Sequence, residues 1–380
     1  MMSRGFPAAE FSARCARAQA LMAEHSLAAL LLTTEPDVRY FTGYLTRFWE
    51  SPTRPWFVVL PAGGRPIAVI PSIGAPVMAR TWVEDIRTWR APDLTDDGVS
   101  LLIDTLAEIA GDGAVGVPMG HETHLRMPLA DFARLRQVVN IASDQGITRS
   151  LRLVKSEAEI DKIRAACAIA GRAFDRVGEI ARPGVAVSQV FRRFQMLCLE
   201  EGADWVPYLA GGAGPLGYDD VISPAADAPL ETGDILMLDT GLVFDGYFCD
   251  YDRNFGIGPV DPRCRDGHRR LIEAVDCAME IARPGATAAD LFHAMDKVLT
   301  GGAGGSDAGR YGHGLGMQLT EWPSLVPDDH TELVAGMVLT LEPGVEIARG
   351  QVLVHEENIV IREGAPERLS PFAGPELKEI

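Results

Sequence analysis

The sequence contains no apolar run approaching the roughly 20 residues that a helical membrane span needs. Its first 25 residues, MMSRGFPAAEFSARCARAQALMAEH, lack the apolar core of an export signal and read instead as an amphipathic helix. Neither membrane insertion nor export is expected. Cysteine is sparse and unpaired: Cys15, Cys167, Cys198, Cys249, Cys264 and Cys277 form no CxxC motif. A chain of 380 residues does not need disulfides to fold, so the six read as reduced thiols of a cytoplasmic protein. Positive charge is also in deficit. A formal net charge of −18 argues against a nucleic-acid partner and against an anionic membrane surface, which leaves small molecules or short peptides.

What is present is an ordinary globular composition, 47% hydrophobic and 23% charged, with length enough for two domains. Residues 1–150 alternate helical and strand patterns: Phe11 to Met22 as a helix, Leu27 to Leu32 as a buried strand, Trp56 to Leu60 and Ile67 to Ile70 around the Gly63-Gly64 turn, a helix over Val99 to Ala110 and a strand over Ala114 to Val117. That is an α/β domain. Its Thr46 to Phe57 loop gathers Arg47, Trp49, Arg54 and Trp56 between prolines. Such a loop reads either as an anion or cation–π recognition element or as an aromatic loop tucked against its own domain. His121 and His124 have a ligand-like spacing if helical, but no other ligands cluster with them. The boundary is expected in Ser143 to Leu153, and the second domain, 151–380, opens on a long helix announced by the capping box of Ser156 and Glu159.

The second domain repeats itself. EIARPGVAVSQVF from Glu179 is echoed by EIARPGATAADLF from Glu280, and GDILMLDTG from Gly233 by GMVLTLEPG from Gly336, at offsets of 101 and 103 residues. Two unrelated motif pairs sharing nearly one offset imply two fused half-domains. The stretch from Gly233 to Phe255 then becomes the centre of the chain. An apolar strand, Ile235 to Leu238, ends in Asp239; Asp245-Gly246 is a hairpin signal; a second strand, Tyr247 to Phe255, carries Asp250. A carboxylate on a buried strand needs a cation or a hydrogen-bond partner to stay ionised. Taken alone, the pair fits a metal site and a structural turn cap with a solvated edge residue equally well. The repeat places Glu342 in the position of Asp239, so each half delivers a carboxylate from an equivalent strand. His313 in YGHGLG sits among glycines that permit close backbone approach. On the strand LVHEENIVI, alternation puts Val354, Glu356 and Asn358 on one face and His355 and Glu357 on the other.

Asp239, Asp250, His313, Glu342 and Glu356, in that order, resemble the five metal ligands of the pita-bread metallohydrolases, in the branch of aminopeptidase P, prolidase and creatinase. The resemblance implies a creatinase-type α/β N-terminal domain followed by an α+β pita-bread catalytic domain with an internal pseudo-two-fold axis, and a homodimer. It implies two divalent cations: Asp239 and Glu356 on both or bridging them, Asp250 on one, His313 and Glu342 on the other. Manganese suits this hard-donor set best, with iron, cobalt or zinc as alternatives. Cations so placed would acidify a shared water and polarise a scissile carbonyl, with Glu342 relaying the proton. The implied activity is hydrolysis of a C–N bond in Xaa-Pro peptides.

The sequence departs from the peptidase pattern at three positions. Ile222 and Thr320 stand where two substrate-handling histidines are expected, and Val354 replaces an arginine. Losing both histidines should cost transition-state stabilisation on a peptide, although Thr320 can still donate a hydrogen bond. Tyr208, Tyr218, Asp219 and Asp220 lie nearby in sequence and either reshape that pocket or are plain loop residues. A non-peptide enzyme on the same fold, opening a small amide or amidine or acting like a dimethylsulfoniopropionate lyase, is therefore the alternative. A non-catalytic pita-bread binding module is a third reading, and the survival of all five ligands argues against it.

Overall fold

A computed structural model describes residues 4–51, 54–304 and 309–380. Residues 52 and 53 of the Thr46 to Phe57 loop lie outside them. The chain forms two compact units, 1–152 and 153–380.

The first unit is a mixed six-stranded sheet. Its strands are β1 (Leu27–Leu32), β2 (Phe57–Pro61), β3 (Ile67–Pro71), β4 (Asp85–Trp89), β5 (Ala114–Val117) and β6 (Ile141–Ser143), in the order β4-β3-β2-β1-β5-β6. Period-two alternation directs Ala29, Leu31, Phe57, Val59 and Val69 onto one face, where Leu102 and Leu106 of helix Val99–Ala110 cover them. The expected helix near the N-terminus is longer than the pattern suggested, Ala8–Glu24. His121 and His124 are exposed on a turn and not on a helix.

The second unit carries the duplication. Its opening helix, Glu157–Asp175, starts at the expected capping box, with Ser156 N–H donating to Glu159 Oε2 at 2.9 Å. One sheet contains β7 (Trp205–Ala210), β8 (Ala213–Gly214), β9 (Ile235–Phe244), β10 (Tyr247–Phe248) and β11 (Tyr251–Gly256). A second contains β12 (His313–Gly314), β13 (Glu321–Ser324) and β14 (Val338–Leu341); β15 (Gly344–Ala348) and β16 (Gln351–Val354) make a separate hairpin; β17 (Glu357–Val360) and β18 (Glu367–Arg368) complete the second sheet, and β19 (Lys378–Glu379) returns to pair with β11.

The repeat extends to individual hydrogen bonds. Ahead of helix Val187–Glu200, Gly184 N–H donates to Leu230 O at 2.8 Å; ahead of helix Ala288–Thr300, the equivalent Gly285 N–H donates to Leu333 O at 3.3 Å. Gly233 N–H reaches Ile257 O at 2.8 Å, and its counterpart Gly336 N–H reaches Ile361 O at 2.9 Å. Similar residues at one offset have built the same backbone framework twice, so β9 and β14 are equivalent strands. Helices Pro262–Ile281 and Ala288–Thr300 bury Leu271, Val275, Leu291, Phe292 and Met295 in the core that also holds Ile235, Met237, Leu339 and Leu341.

Two local readings are corrected. The strand carrying Asp239 does not stop there: β9 continues to Phe244, because Leu242 and Val243 are also buried and Asp245-Gly246, with φ of 47° and 81°, makes the hairpin turn beyond them. The second strand is interrupted, and Asp250 lies in the break between β10 and β11. The same is true of LVHEENIVI, which divides into β16 and β17 with His355 and Glu356 at the join.

Candidate metal centre

Asp239 sits mid-strand on β9, opposite Asp252 on β11 and Ala210 on β7. Pairing on both sides holds its backbone. Asp250, in the break, is held by a side chain from the other half: its N–H donates to Asn358 Oδ1 at 3.0 Å, and Asn358 Nδ2 returns a bond to Asp250 O. Asn358 lies on β17, paired with Thr340 on β14. This amide fixes the first half's carboxylate against the second half's sheet.

His313 is on β12, where glycine neighbours are required. A Cβ on Gly312 would lie 2.3 Å from Thr340 O, and one on Gly314 would lie 1.9 Å from Trp322 O. The ring is oriented by Nδ1, 2.8 Å from Gly314 O. A carbonyl can only accept, so Nδ1 carries a proton and Nε2 is the ring atom that remains to meet a ligand. It points towards Asp250 Oδ2, 3.4 Å away. Ligand atoms of Asp250, His313 and Glu356 lie within 4.8 Å of one another, and all three residues are buried.

Three oxygens of this site, Asp239 Oδ1, Asp250 Oδ1 and Glu356 Oε1, are buried without a hydrogen-bond partner among the described residues. Unpaired buried carboxylates are costly unless a proton or a cation compensates them. Burial, followed by the charge of Asp250, pushes the carboxyls of Asp239 and Glu356 well above the usual range. Glu342, just after β14, is pushed up to about 7, chiefly by burial, with His313 and Arg310 pulling it back and Asp250 adding to the rise. The donor set is four carboxylates and one imidazole. Asp250, His313 and Glu356 of this set are brought together, and Asp239, Asp250 and Glu356 each keep an oxygen without a protein partner, which fits a divalent cation.

The groups that flank this site around β11 and β17 are buried as well. His355 Nε2 lies 3.1 Å from Glu357 Oε1, and its Nδ1 lies 3.6 Å from Asp252 Oδ1. Glu357 also pairs with Arg253 at 3.0 Å and accepts from Ala373 N–H at 2.8 Å. Burial is the largest single influence and opposes its ionisation, but the Arg253 charge together with His355 and Ser370 outweighs it and holds Glu357 below its usual value.

The remaining candidates divide. On β7, Tyr208 faces Asp239, and its phenol is held protonated by burial and by the charges of Asp239 and Asp250. Thr320 Oγ1 accepts from Arg310 Nη2 at 3.3 Å. Tyr218 is fully buried, its oxygen accepting from Val354 N–H at 2.6 Å and lying 3.2 Å from Asn254 Oδ1, so it braces the strand leading to Glu356. Ile222 is 90% exposed on a loop. In the first unit, Trp56 is enclosed, packed 5.3 Å from Tyr44 and 6.1 Å from Trp49. Arg126 stacks over Trp49 and donates to its carbonyl at 2.9 Å. Arg54 lies 5.1 Å over Phe48, and Arg47 is exposed. The aromatic loop is thus largely occupied with its own unit. Sequence patterns did not single out Arg310 or Asp252. Arg310 carried a usable signal, a cation three residues before His313.

Known proteins resemble the chain across both of its units. Residues 14–165 match the creatinase/prolidase N-terminal domain and residues 161–363 match metallopeptidase family M24. The "Probable dipeptidase PepE" of Mycobacterium tuberculosis is 32% identical over 372 residues, covering 96% of both sequences. The Xaa-Pro dipeptidase of Pyrococcus furiosus is 30% identical over 247 residues, covering 63% of this chain and 69% of the relative. The crystal structure of dipeptidase PepE from Mycobacterium ulcerans superposes with a TM-score of 0.84 at 28% identity, over 99% of both chains.

Proposed function

The chain belongs to metallopeptidase family M24 and is a metallohydrolase similar to Xaa-Pro dipeptidases; from that premise we propose that it hydrolyses the C–N bond of short Xaa-Pro peptides at a site for two divalent cations. The observation that carries this reading is the convergence of Asp250, His313 and Glu356 within 4.8 Å, with buried oxygens that have no other partner. Asp239, Asp250, His313, Glu342 and Glu356 would hold them. Manganese matches the hard oxygen-rich set best. Bound cations of this kind supply Lewis-acid polarisation of a carbonyl and a more acidic water.

The chain's own groups do the rest. Glu342, with its carboxyl at about 7, accepts and returns a proton near neutral pH. Tyr208 stays a phenol and donates a hydrogen bond into the site. Thr320 spends an oxygen lone pair on Arg310, which leaves its O–H free to donate to the substrate in place of the expected histidine. The division of labour assigned to residues 1–150 and 151–380, a homodimeric assembly and a cytoplasmic setting belong to the same proposal. No helix among the described residues is long and apolar enough to cross a membrane.

Metal analysis and a substrate panel test it. Near-stoichiometric divalent metal, and turnover of Ala-Pro or Gly-Pro on the order of 1–1000 per second, are expected. Turnover confined to small amides or betaine-like metabolites would replace the peptidase with the non-peptide enzyme. Metal far below stoichiometric, with no activity gained on adding manganese, would leave only a binding module.

A further inference from the structure

A cavity of about 260 Å³ lies in the second unit, walled by helix Glu157–Asp175, β11, helix Pro262–Ile281 and residues 371–378. None of Asp239, Asp250, His313, Glu342 or Glu356 lines it. Its wall is rich in rings, with Phe174, Tyr251, Phe255 and Phe372 among the lining residues. Charge is present but already committed or mixed in sign. Arg253 gives Nη1 to Glu356 O at 3.2 Å and Nη2 to Glu357 Oε2 at 3.0 Å, and stacks 4.6 Å over Tyr251. Lys378, Asp175 and Glu376 are exposed, so the outer lining carries both signs.

Most other polar groups of the wall have protein partners. Tyr251 O–H donates to Cys167 O at 2.8 Å, and Asn254 Nδ2 donates to Val354 O at 2.6 Å. His355 sets Nε2 3.1 Å from Glu357 Oε1 and Nδ1 3.6 Å from Asp252 Oδ1. His268, only 3% exposed, differs. Its Nε2 lies 3.1 Å from Gly374 O, and a carbonyl can only accept, so Nε2 carries a proton. Its Nδ1 is buried with no partner among the described residues. Burial keeps the ring neutral, with its pKa pushed down to about 4. Nδ1 is therefore a bare lone pair, an acceptor set in a largely aromatic wall.

We propose that this cavity is a second binding site, separate from the metal centre, for a small uncharged aromatic molecule bearing one N–H or O–H donor. The donor meets His268 Nδ1 and the ring packs against Phe174, Phe255 and Phe372. Water is a poor occupant, because an ordered water needs about three polar partners and this wall supplies few. An apolar ring takes the aromatic surface out of solvent, and one donor satisfies a buried acceptor that is costly to leave unpaired. A carboxylate would set its own lone pairs against that of Nδ1, and an ammonium would stand beside the Arg253 guanidinium. A dry cavity of about 150 Å³ already admits benzene, so this one accommodates a fused two-ring molecule.

Calorimetry with indole and 1-methylindole on the full-length, manganese-loaded protein tests this without requiring peptidase turnover. Indole should bind with one molecule per chain and a Kd of about 1 mM or tighter. The methylated ring lacks the donor and should bind about tenfold more weakly. His268→Leu should bring the two affinities within about twofold of each other. Phe372→Ala, on the half-buried segment beyond β18, should weaken both by about three- to tenfold. No saturable binding of indole up to about 10 mM would overturn the proposal. Equal binding of the two indoles by the wild type, undiminished binding in Phe372→Ala, or displacement of indole by Ala-Pro would do the same. If His268→Leu fails to fold, the wild-type ratio and Phe372→Ala decide.

Discussion

Glu356 and Glu357 are adjacent, both buried, and opposite in behaviour. Glu356 faces Asp239, Asp250 and Glu342, has an oxygen without a partner, and is pushed well above the normal carboxylate range. Glu357 faces Arg253, His355 and Ser370, is fully paired, and is held below its normal value. Burial penalises both equally in kind. What separates them is whether the protein itself provides the compensating charge. At Glu357 the protein itself supplies the compensating charge, and at Glu356 it leaves the carboxylate open to a cation.

The largest expected effect breaks the open side. Asp250→Ala removes a ligand and the group that both halves hold in place, and should abolish metal binding and activity together. Metal analysis alongside the peptide assay checks this, and an active, metal-replete variant would show the ligand assignment to be wrong. At the paired residue, Glu357→Gln leaves the half-enclosed Arg253 without its carboxylate. Breaking such a pair should cost about 3–5 kcal/mol, measured by chemical denaturation, with little direct change in metal stoichiometry at saturating metal. A cost below about 1 kcal/mol, the range of an exposed pair, would mean that water reaches this face.

A third effect, smaller, sharpens the contrast through pH. The raised carboxyl of Glu342 is stabilised by folding in its protonated form. Its contribution is complete below the ordinary value near 4.5 and is lost as pH rises through about 7. Glu357 has the reverse sign, contributing above its ordinary value and losing that contribution in acid. Metal-free protein should therefore lose stability between about pH 5 and pH 8, whereas metal-loaded protein should not. At a free metal concentration of about 100 times Kd the gain is about 2.7 kcal/mol, and affinity should rise with pH as the protons are displaced. Melting curves with and without manganese across that range test it; parallel pH profiles would refute it.

Much of the framework is legible in the sequence. The offsets of the two repeats place Asp239 and Glu342 on equivalent strands, and the hydrogen bonds of Gly233 and Gly336 repeat that equivalence atom by atom. The capping box at Ser156 and the Asp245-Gly246 turn are readable because their signals are local. Strand ends are less so: Asp239 ends an apolar run in sequence, yet β9 continues because Thr240, Gly241 and Leu242 are also enclosed by neighbours far away in the chain. Alternation on LVHEENIVI suggests two faces but cannot show that both are buried.

The sequence by itself determined the duplicated framework, the ordered set Asp239, Asp250, His313, Glu342 and Glu356, and the chemistry of hard oxygen donors around one imidazole. The framework follows from spacing, and the ligand set from the resemblance that those residues carry to the pita-bread metallohydrolases; both are read along the length of the chain. Only the tertiary structure decided that Glu356 remains unpaired while Glu357 does not, that Asn358 from one half clamps Asp250 of the other, and that Tyr218 is a brace. Each depends on which groups meet across strands and loops distant in sequence, and electrostatic compensation is a matter of distance in space.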